Sequence, residues 1–258
     1  MVALDIDGTL IHSGEEVPAP RLAAAIRALD AVGIAVVLAS GRMFPGTAAV
    51  ARYLGLTTPV ICQQGCSVHV PDGTMTHEFP LERELAMAVV EHAQELGHPY
   101  EWFNPLRYLV SREHPAAVEY GRVSGITPEY VSAPEHSGVR PTGAGIISSH
   151  EEASRIHRYL AGIHSDRMHL LDFPNVTVAV ASDANKGHAL SLVCADLNVD
   201  RHEVVAIGDS VNDAAMLAWA GRGIAMAHSD RYALDIADEV LESGEGALAH
   251  LLSRIVRG

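Results

Sequence analysis

Directly after the apolar run Val2-Ala3-Leu4 the chain reads Asp5-Ile6-Asp7-Gly8-Thr9-Leu10, which places two carboxylates on one side of the backbone where a buried strand ends. Acids one residue apart repel each other and lose hydration together, so a fold keeps them adjacent only beside a compensating cation or proton. Magnesium meets that need, being a hard cation that takes oxygen ligands.

The rest of the sequence sets the frame for that acid pair. A chain of 258 residues that is 48% hydrophobic buries a large core and is long enough for two domains. No stretch approaches the roughly 20 apolar residues of a membrane-spanning helix. The first strand is expected from Val2, which leaves no room for a targeting segment, and the expected compartment is the cytoplasm. Cys62, Cys66 and Cys194 form neither an even disulfide framework nor a zinc-ligand pair of pairs, and they read as reduced and buried. The net charge of −14, unbroken by any basic run, argues against nucleic acid as a partner. An acidic chain that binds an anion must gather local positive charge from a metal, a lysine or helix N-termini in one cleft. The 15 histidines show no metal-ligand spacing and are read as surface or packing residues.

Periodicity divides the chain into three stretches. The first alternates short apolar runs with helical segments, as a helix-covered parallel sheet does. A strand over 2–6 is followed by a helix opened by Pro18 and Pro20 and stopped by Gly33. A strand over 34–39 turns through Ser40-Gly41-Arg42 into a helix ending near Gly55, and a third strand spans 60–62. Pro71-Asp72-Gly73 then closes a hairpin between 67–70 and 74–79. From about 81 to 175 the order changes. A helix over 82–96, stopped by Gly97, precedes strands at 100–103 and 106–110 and a helix from 114; a looser second half has strands at 144–148, 168–171 and 176–181 and a helix over 151–163. Alternation returns with helices over 186–197 and 211–220 and strands over 204–207 and 223–226. The expected class is α/β, a Rossmann-like parallel-sheet core formed by 1–80 and 181–258 with an inserted α+β cap over 81–180 that sets substrate specificity.

Four polar clusters follow apolar strands or open helices, and so gather at the carboxyl edge of the sheet, where open α/β folds bind ligands. They are Asp5-Ile6-Asp7-Gly8-Thr9-Leu10, Ala39-Ser40-Gly41-Arg42, Lys186-Gly187-His188-Ala189-Leu190, and Gly208-Asp209-Ser210-Val211-Asn212-Asp213-Ala214-Ala215-Met216-Leu217. In order and content they resemble the four motifs of the haloacid dehalogenase-like hydrolase superfamily, in its Cof-type branch of small-molecule phosphatases. The resemblance covers nearly the whole chain. It departs at Gln63-Gln64-Gly65-Cys66, where Asn-Gly-Ala is common, and at Ala227-His228-Ser229, where Gly-Asn-Ala is usual.

The resemblance implies that Asp5 is a nucleophile that takes a phosphoryl group as an acyl phosphate, and that Asp7 is the acid and base for the leaving alcohol and the attacking water. Asp7 is expected to be partly buried, which would favour its protonated form. Magnesium is expected on Asp5, the backbone carbonyl of Asp7 and Asp209, with Asp213 a neighbour or further ligand. Lys186, Ser40, the Gly41 amide and Asn212 would hold the phosphoryl oxygens, and Thr9 would steady the loop beside them. Taken singly, Ser40 reads as a helix cap and Lys186 as a solvated lysine; Arg42 is expected to be structural. Together, the acids, lysine and anion-binding turns at successive sheet edges point to a magnesium-dependent phosphatase acting on a small phosphorylated metabolite such as a sugar phosphate or a phosphoglycolate-like compound. The alternatives are a phosphomutase and a non-catalytic phospho-ligand sensor. The sequence leaves the oligomeric state open.

Overall fold

The computed structural model describes residues 1–242 and 245–257; residues 243, 244 and 258, within the segment assigned to the core, lie outside the described residues. The chain begins with β1 (Val2–Leu4), α1 (Pro20–Ala31), β2 (Val36–Leu38), α2 (Phe44–Leu54), β3 (Val60–Cys62), β4 (Ser67–His69) and β5 (Met75–Glu78). Next come α3 (Arg83–Leu96), β6 (Tyr100–Phe103), β7 (Tyr108–Val110), α4 (Pro115–Ser124), β8 (Glu129–Tyr130), β9 (Gly143–Ile147), α5 (His150–His164), β10 (Met168–Phe173) and β11 (Val176–Ala181). The last stretch holds α6 (Lys186–Asp196), β12 (Val205–Gly208), α7 (Ala214–Trp219), β13 (Arg222–Met226), α8 (Arg231–Ile236), β14 (Glu239–Leu241) and α9 (Glu245–Ile255). These elements form two compact units, one from Met1–Gly41, Thr47–His77 and Asn185–Gly258, the other from Arg42–Gly46 and Glu78–Ala184.

The fold is α/β, with a Rossmann-like sheet and an inserted α+β segment. In the first unit a parallel sheet has the order β14-β13-β12-β1-β2 among the described residues. Such a sheet is covered on both faces, and for that reason β12, β1 and β2 are apolar throughout, while β13 and edge strand β14 carry Arg222 and Glu239. Ala3, Val37, Ala206 and Ala225 share a core with Leu190 and Val193 of α6 and Met216 and Leu217 of α7, while α1 lies against β2 and α9. No helix among the described residues is long and apolar enough to cross a membrane.

Two details near the acid pair depart from the sequence pattern. The first strand stops at Leu4 instead of residue 6, because Leu10 N and Ile11 N both bond to Ile6 O and coil the acidic segment into a loop. The expected third strand of the parallel sheet reaches that sheet only through a bridge between Ala39 and Ile61. It pairs antiparallel with β4, because the chain folds back over Gln63–Gly65.

The second unit carries the sheet β10-β11-β9-β6-β7-β8, antiparallel except for the β7–β8 pair. On one face Trp102, Ala144, Ile146 and Ala179 pack with Val89 and Val90 of α3 and Ile156 and Leu160 of α5. Strand alternation sends Glu101 to the opposite face, where it is 6% exposed. Tyr108 donates its hydroxyl to Glu101 Oε2 at 2.6 Å, and Gly145 leaves room for this carboxyl, since a Cβ there would lie 2.5 Å from Oε1.

Desolvation pushes the Glu101 carboxyl up to about 7 from its ordinary 4.5, so the folded chain keeps this proton where the unfolded chain has lost it. Its contribution therefore lowers stability as pH rises between those two values, by roughly 3 kcal/mol in total. The melting temperature of Glu101→Gln should fall less between pH 5 and pH 8 than that of the wild type; parallel curves would show that Glu101 folds in already ionised.

Candidate active site

β1 delivers Asp5 into the interior at 3% exposure, where its amide bonds to Ile207 O on neighbouring β12. The loop after it reverses tightly at Gly8, whose φ of +92° is open to glycine and strained for other residues. A Cβ on Gly8 would also lie 2.3 Å from Asp209 Oδ2. Thr9 Oγ1 donates to Asp209 Oδ1 at 2.7 Å, so this hydroxyl holds the third acid against the first loop.

Asp213 organises the other side. Its Oδ2 accepts the amides of Asp209 and Ser210 at 2.9 and 3.0 Å, which keeps residues 210–213 in a turn; the helix expected from 211 consequently starts at Ala214. Lys186 is the first residue of α6, after the cap made by Asn185 Oδ1 on His188 N. Its fully buried ammonium donates to Asp5 Oδ1 and to Asp213 Oδ1, both at 2.6 Å. Desolvation opposes that charge, but Asp213 and Asp5 outweigh it and hold the lysine protonated beyond its usual range.

Asp5, Asp209 and Asp213 each offer an oxygen within 4.8 Å of the others. One ammonium does not balance three carboxylates. The Asp5 carboxyl is accordingly pushed well above the usual carboxylate range, first by desolvation and then by Asp213, with Lys186 opposing and Asp209 and Asp7 adding to the rise. Asp209 is raised for the same first reasons, burial and Asp213. Asp5 Oδ2 is buried with no hydrogen-bond partner among the described residues. An all-oxygen cluster with excess negative charge and an uncommitted buried oxygen fits a hard divalent cation.

The remaining predicted residues border this cluster. Ser40, at the end of β2, is fully buried and its amide bonds to Ile61 O. Asn212 is 8% exposed; its Oδ1 accepts from Ser210 Oγ at 2.7 Å and its Nδ2 donates to Gln64 Oε1. Gln64 also bonds through its amide to Ser40 O at 3.2 Å, joining the second and fourth motifs. Asp7 departs from expectation, because it is exposed and not partly buried: the loop carries its side chain outward after Ile6. Arg42 is 7% exposed and groups with the second unit.

Two neighbours of this cluster, His228 and Asp230, carry no role read from the sequence. His228 Nε2 lies 2.8 Å from Gly8 O, Asp230 Oδ2 accepts from Val211 N at 2.6 Å, and Asp230 N bonds to Asp209 O. Asp230 follows the apolar strand β13, the same strand-then-acid signal that marks the other clusters. His228 and Gln64 lie in the two segments that depart from the family pattern.

A family model described as haloacid dehalogenase-like hydrolase matches residues 2–252. The chain is a haloacid dehalogenase-like hydrolase. Phosphatase YwpJ of Bacillus subtilis is 26% identical to this hydrolase over 99% of both chains. Phosphoglycolate phosphatase of Haloarcula marismortui is 30% identical, spanning 94% of this hydrolase and 91% of the relative. A solved structure of a haloacid dehalogenase-like hydrolase from B. subtilis superposes with a TM-score of 0.86 at 22% identity, covering 98% and 99% of the two chains, and so shares the fold.

Replacing Lys186 by Met strands Asp5 and Asp213 in the interior without their cation, which should destabilise the hydrolase by about 3–5 kcal/mol. The acids can then escape only by taking up protons, so the deficit in chelator-treated protein should be larger at pH 8 than at pH 5. A deficit independent of pH in thermal melts would show that the lysine acts by packing alone.

Proposed function

We propose that this hydrolase is a magnesium-dependent phosphatase that acts on a small phosphorylated metabolite through an aspartyl-phosphate on Asp5. The observation that carries the reading is the asymmetry of the Asp5 carboxylate: Oδ1 is held by Lys186, while buried Oδ2 has no hydrogen-bond partner among the described residues. A nucleophile needs one fixed and one uncommitted oxygen, since fixing the group removes the entropy of aligning it.

In the proposed reaction Asp5 Oδ2 attacks phosphorus and the bond to the ester oxygen breaks, with Asp7 giving its proton to the leaving alkoxide. Water then attacks phosphorus, Asp7 takes the proton, and the bond to Asp5 breaks to release phosphate. The exposed position of Asp7 leaves it open to the leaving alcohol and to the attacking water. Lys186, Ser40, the Gly41 amide and Asn212 orient and neutralise the phosphoryl oxygens. Magnesium, when bound, supplies further neutralisation of the phosphoryl group; Asp5, the Asp7 carbonyl and Asp209 would hold it, with Asp213 beside them.

The names of the two relatives, a phosphatase and a phosphoglycolate phosphatase, support a small phosphate ester as substrate. Specificity is assigned to the inserted unit, whose sequence carries none of the acids, the lysine or Asn212 and is free to vary without touching the chemistry. The free, buried state of Cys62, Cys66 and Cys194 accords with a reducing cytoplasmic setting.

Asp5→Asn should lower magnesium-dependent phosphate release from an aryl phosphate by about a thousandfold or more. Its chelator-treated form should melt no lower than the wild type, because one of the crowded charges is gone. Retained turnover removes Asp5 as the nucleophile. Magnesium added to chelator-treated wild type should raise the melting temperature, by about 2.7 kcal/mol of stability at a hundredfold excess over its dissociation constant, and Asp209→Asn should reduce that gain. An equal gain in both proteins would place the cation elsewhere.

A further inference from the structure

Gln63 and Gln64 are consecutive residues with φ of +50° and +66° in the turn that ends β3. This left-handed conformation is disfavoured for a side-chain-bearing residue, and a fold retains it where the surroundings dictate it, often at a functional site. The surroundings are tight. Gln64 N bonds to Ser40 O, Cys66 N bonds to Gln63 O, and a Cβ on neighbouring Gly65 would lie 2.3 Å from the backbone carbon of Asn185, directly before Lys186. The turn is thus wedged among the second, third and fourth motifs.

The Gln64 side chain points into that junction. Its Oε1 accepts from Asn212 Nδ2, which commits the acceptor end. Its Nε2 lies against Gly41, where a Cβ would come within 2.7 Å of Nε2 and 2.9 Å of Oε1. Gly41 therefore has room for no side chain because the carboxamide occupies that space. No hydrogen-bond acceptor for Nε2 is present among the described residues. A neutral N–H donor fixed between Gly41 and Asn212 has the character of an oxyanion donor, adding no charge and needing no reorganisation when an anion arrives.

We propose that Gln64 binds the phosphoryl group, with Oε1 positioning Asn212 and Nε2 donating to a phosphoryl oxygen; this deepens, and rests on, the phosphatase reading of the same site. It also gives Gly41 a second role, as the bare surface that admits the carboxamide.

The test is calorimetric titration of inorganic phosphate into magnesium-loaded protein, alongside aryl phosphate turnover. Gln64→Glu keeps an acceptor for Asn212 but removes both N–H donors and adds a negative charge. Its phosphate dissociation constant should rise about ten- to a hundredfold while the melting temperature stays near that of the wild type. Gln64→Gly relieves the left-handed strain and should melt no lower than wild type, yet it should also bind phosphate more weakly. Gly41→Ala should weaken phosphate binding in the wild type, by pushing the carboxamide aside, and add little in the Gln64→Gly background. Phosphate affinity of Gln64→Glu within about twofold of wild type, or an equal Gly41→Ala penalty in both backgrounds, would overturn the proposal. Wild-type protein that binds phosphate with these sensitivities but turns over no ester would remove the phosphatase reading and leave Gln64 as a phosphate ligand.

Discussion

The buried contact of Lys186 with Asp5 and Asp213 is the constraint on which the site depends. It ties residues 181 positions apart in sequence and fixes the start of α6 against the ends of β1 and β12. An ammonium taken wholly out of water is tolerated only with such partners, and the partners are tolerated only with it. The arrangement stops short of neutrality, since Asp209 joins the same cluster as a third carboxylate. The protein therefore holds, at the carboxyl edge of its sheet, a built-in demand for positive charge that a divalent cation can satisfy.

Around this cluster the loops do the positioning. Asp213 spends both oxygens on protein donors, Lys186 on one side and the Asp209 and Ser210 amides on the other. It behaves as the post that holds the lysine and the Asp209 loop in register. Asp230 fastens the same loop from β13's end, and Thr9 fastens Asp209 from β1's end. Asp5 keeps a fully buried oxygen without a hydrogen-bond partner among the described residues.

Much of this was legible before any coordinates. Asp5, Ser40 and Asp209 each follow an apolar run, and a parallel sheet sends all such run ends to one edge, so local patterns sufficed to gather them. Helix α3 was readable because its apolar positions repeat at helical spacing and Gly97 closes it. Three features were not readable. The exposure of Asp7 depends on how the loop after Ile6 coils through bonds from residues 10 and 11. The late start of α7 depends on one carboxylate reaching back to amides that sequence spacing does not reveal. The place of Gln64 depends on a left-handed turn, a conformation that its sequence of two glutamines does not advertise.

The most direct test of the charge imbalance is anomalous diffraction from a crystal soaked in manganese, a divalent substitute for magnesium with the same preference for oxygen. A single strong peak at the Asp5 and Asp209 carboxylates is expected, with Lys186 still joining Asp5 to Asp213. A peak confined to other carboxylates, or an acid cluster that stays metal-free at saturating manganese, would contradict it.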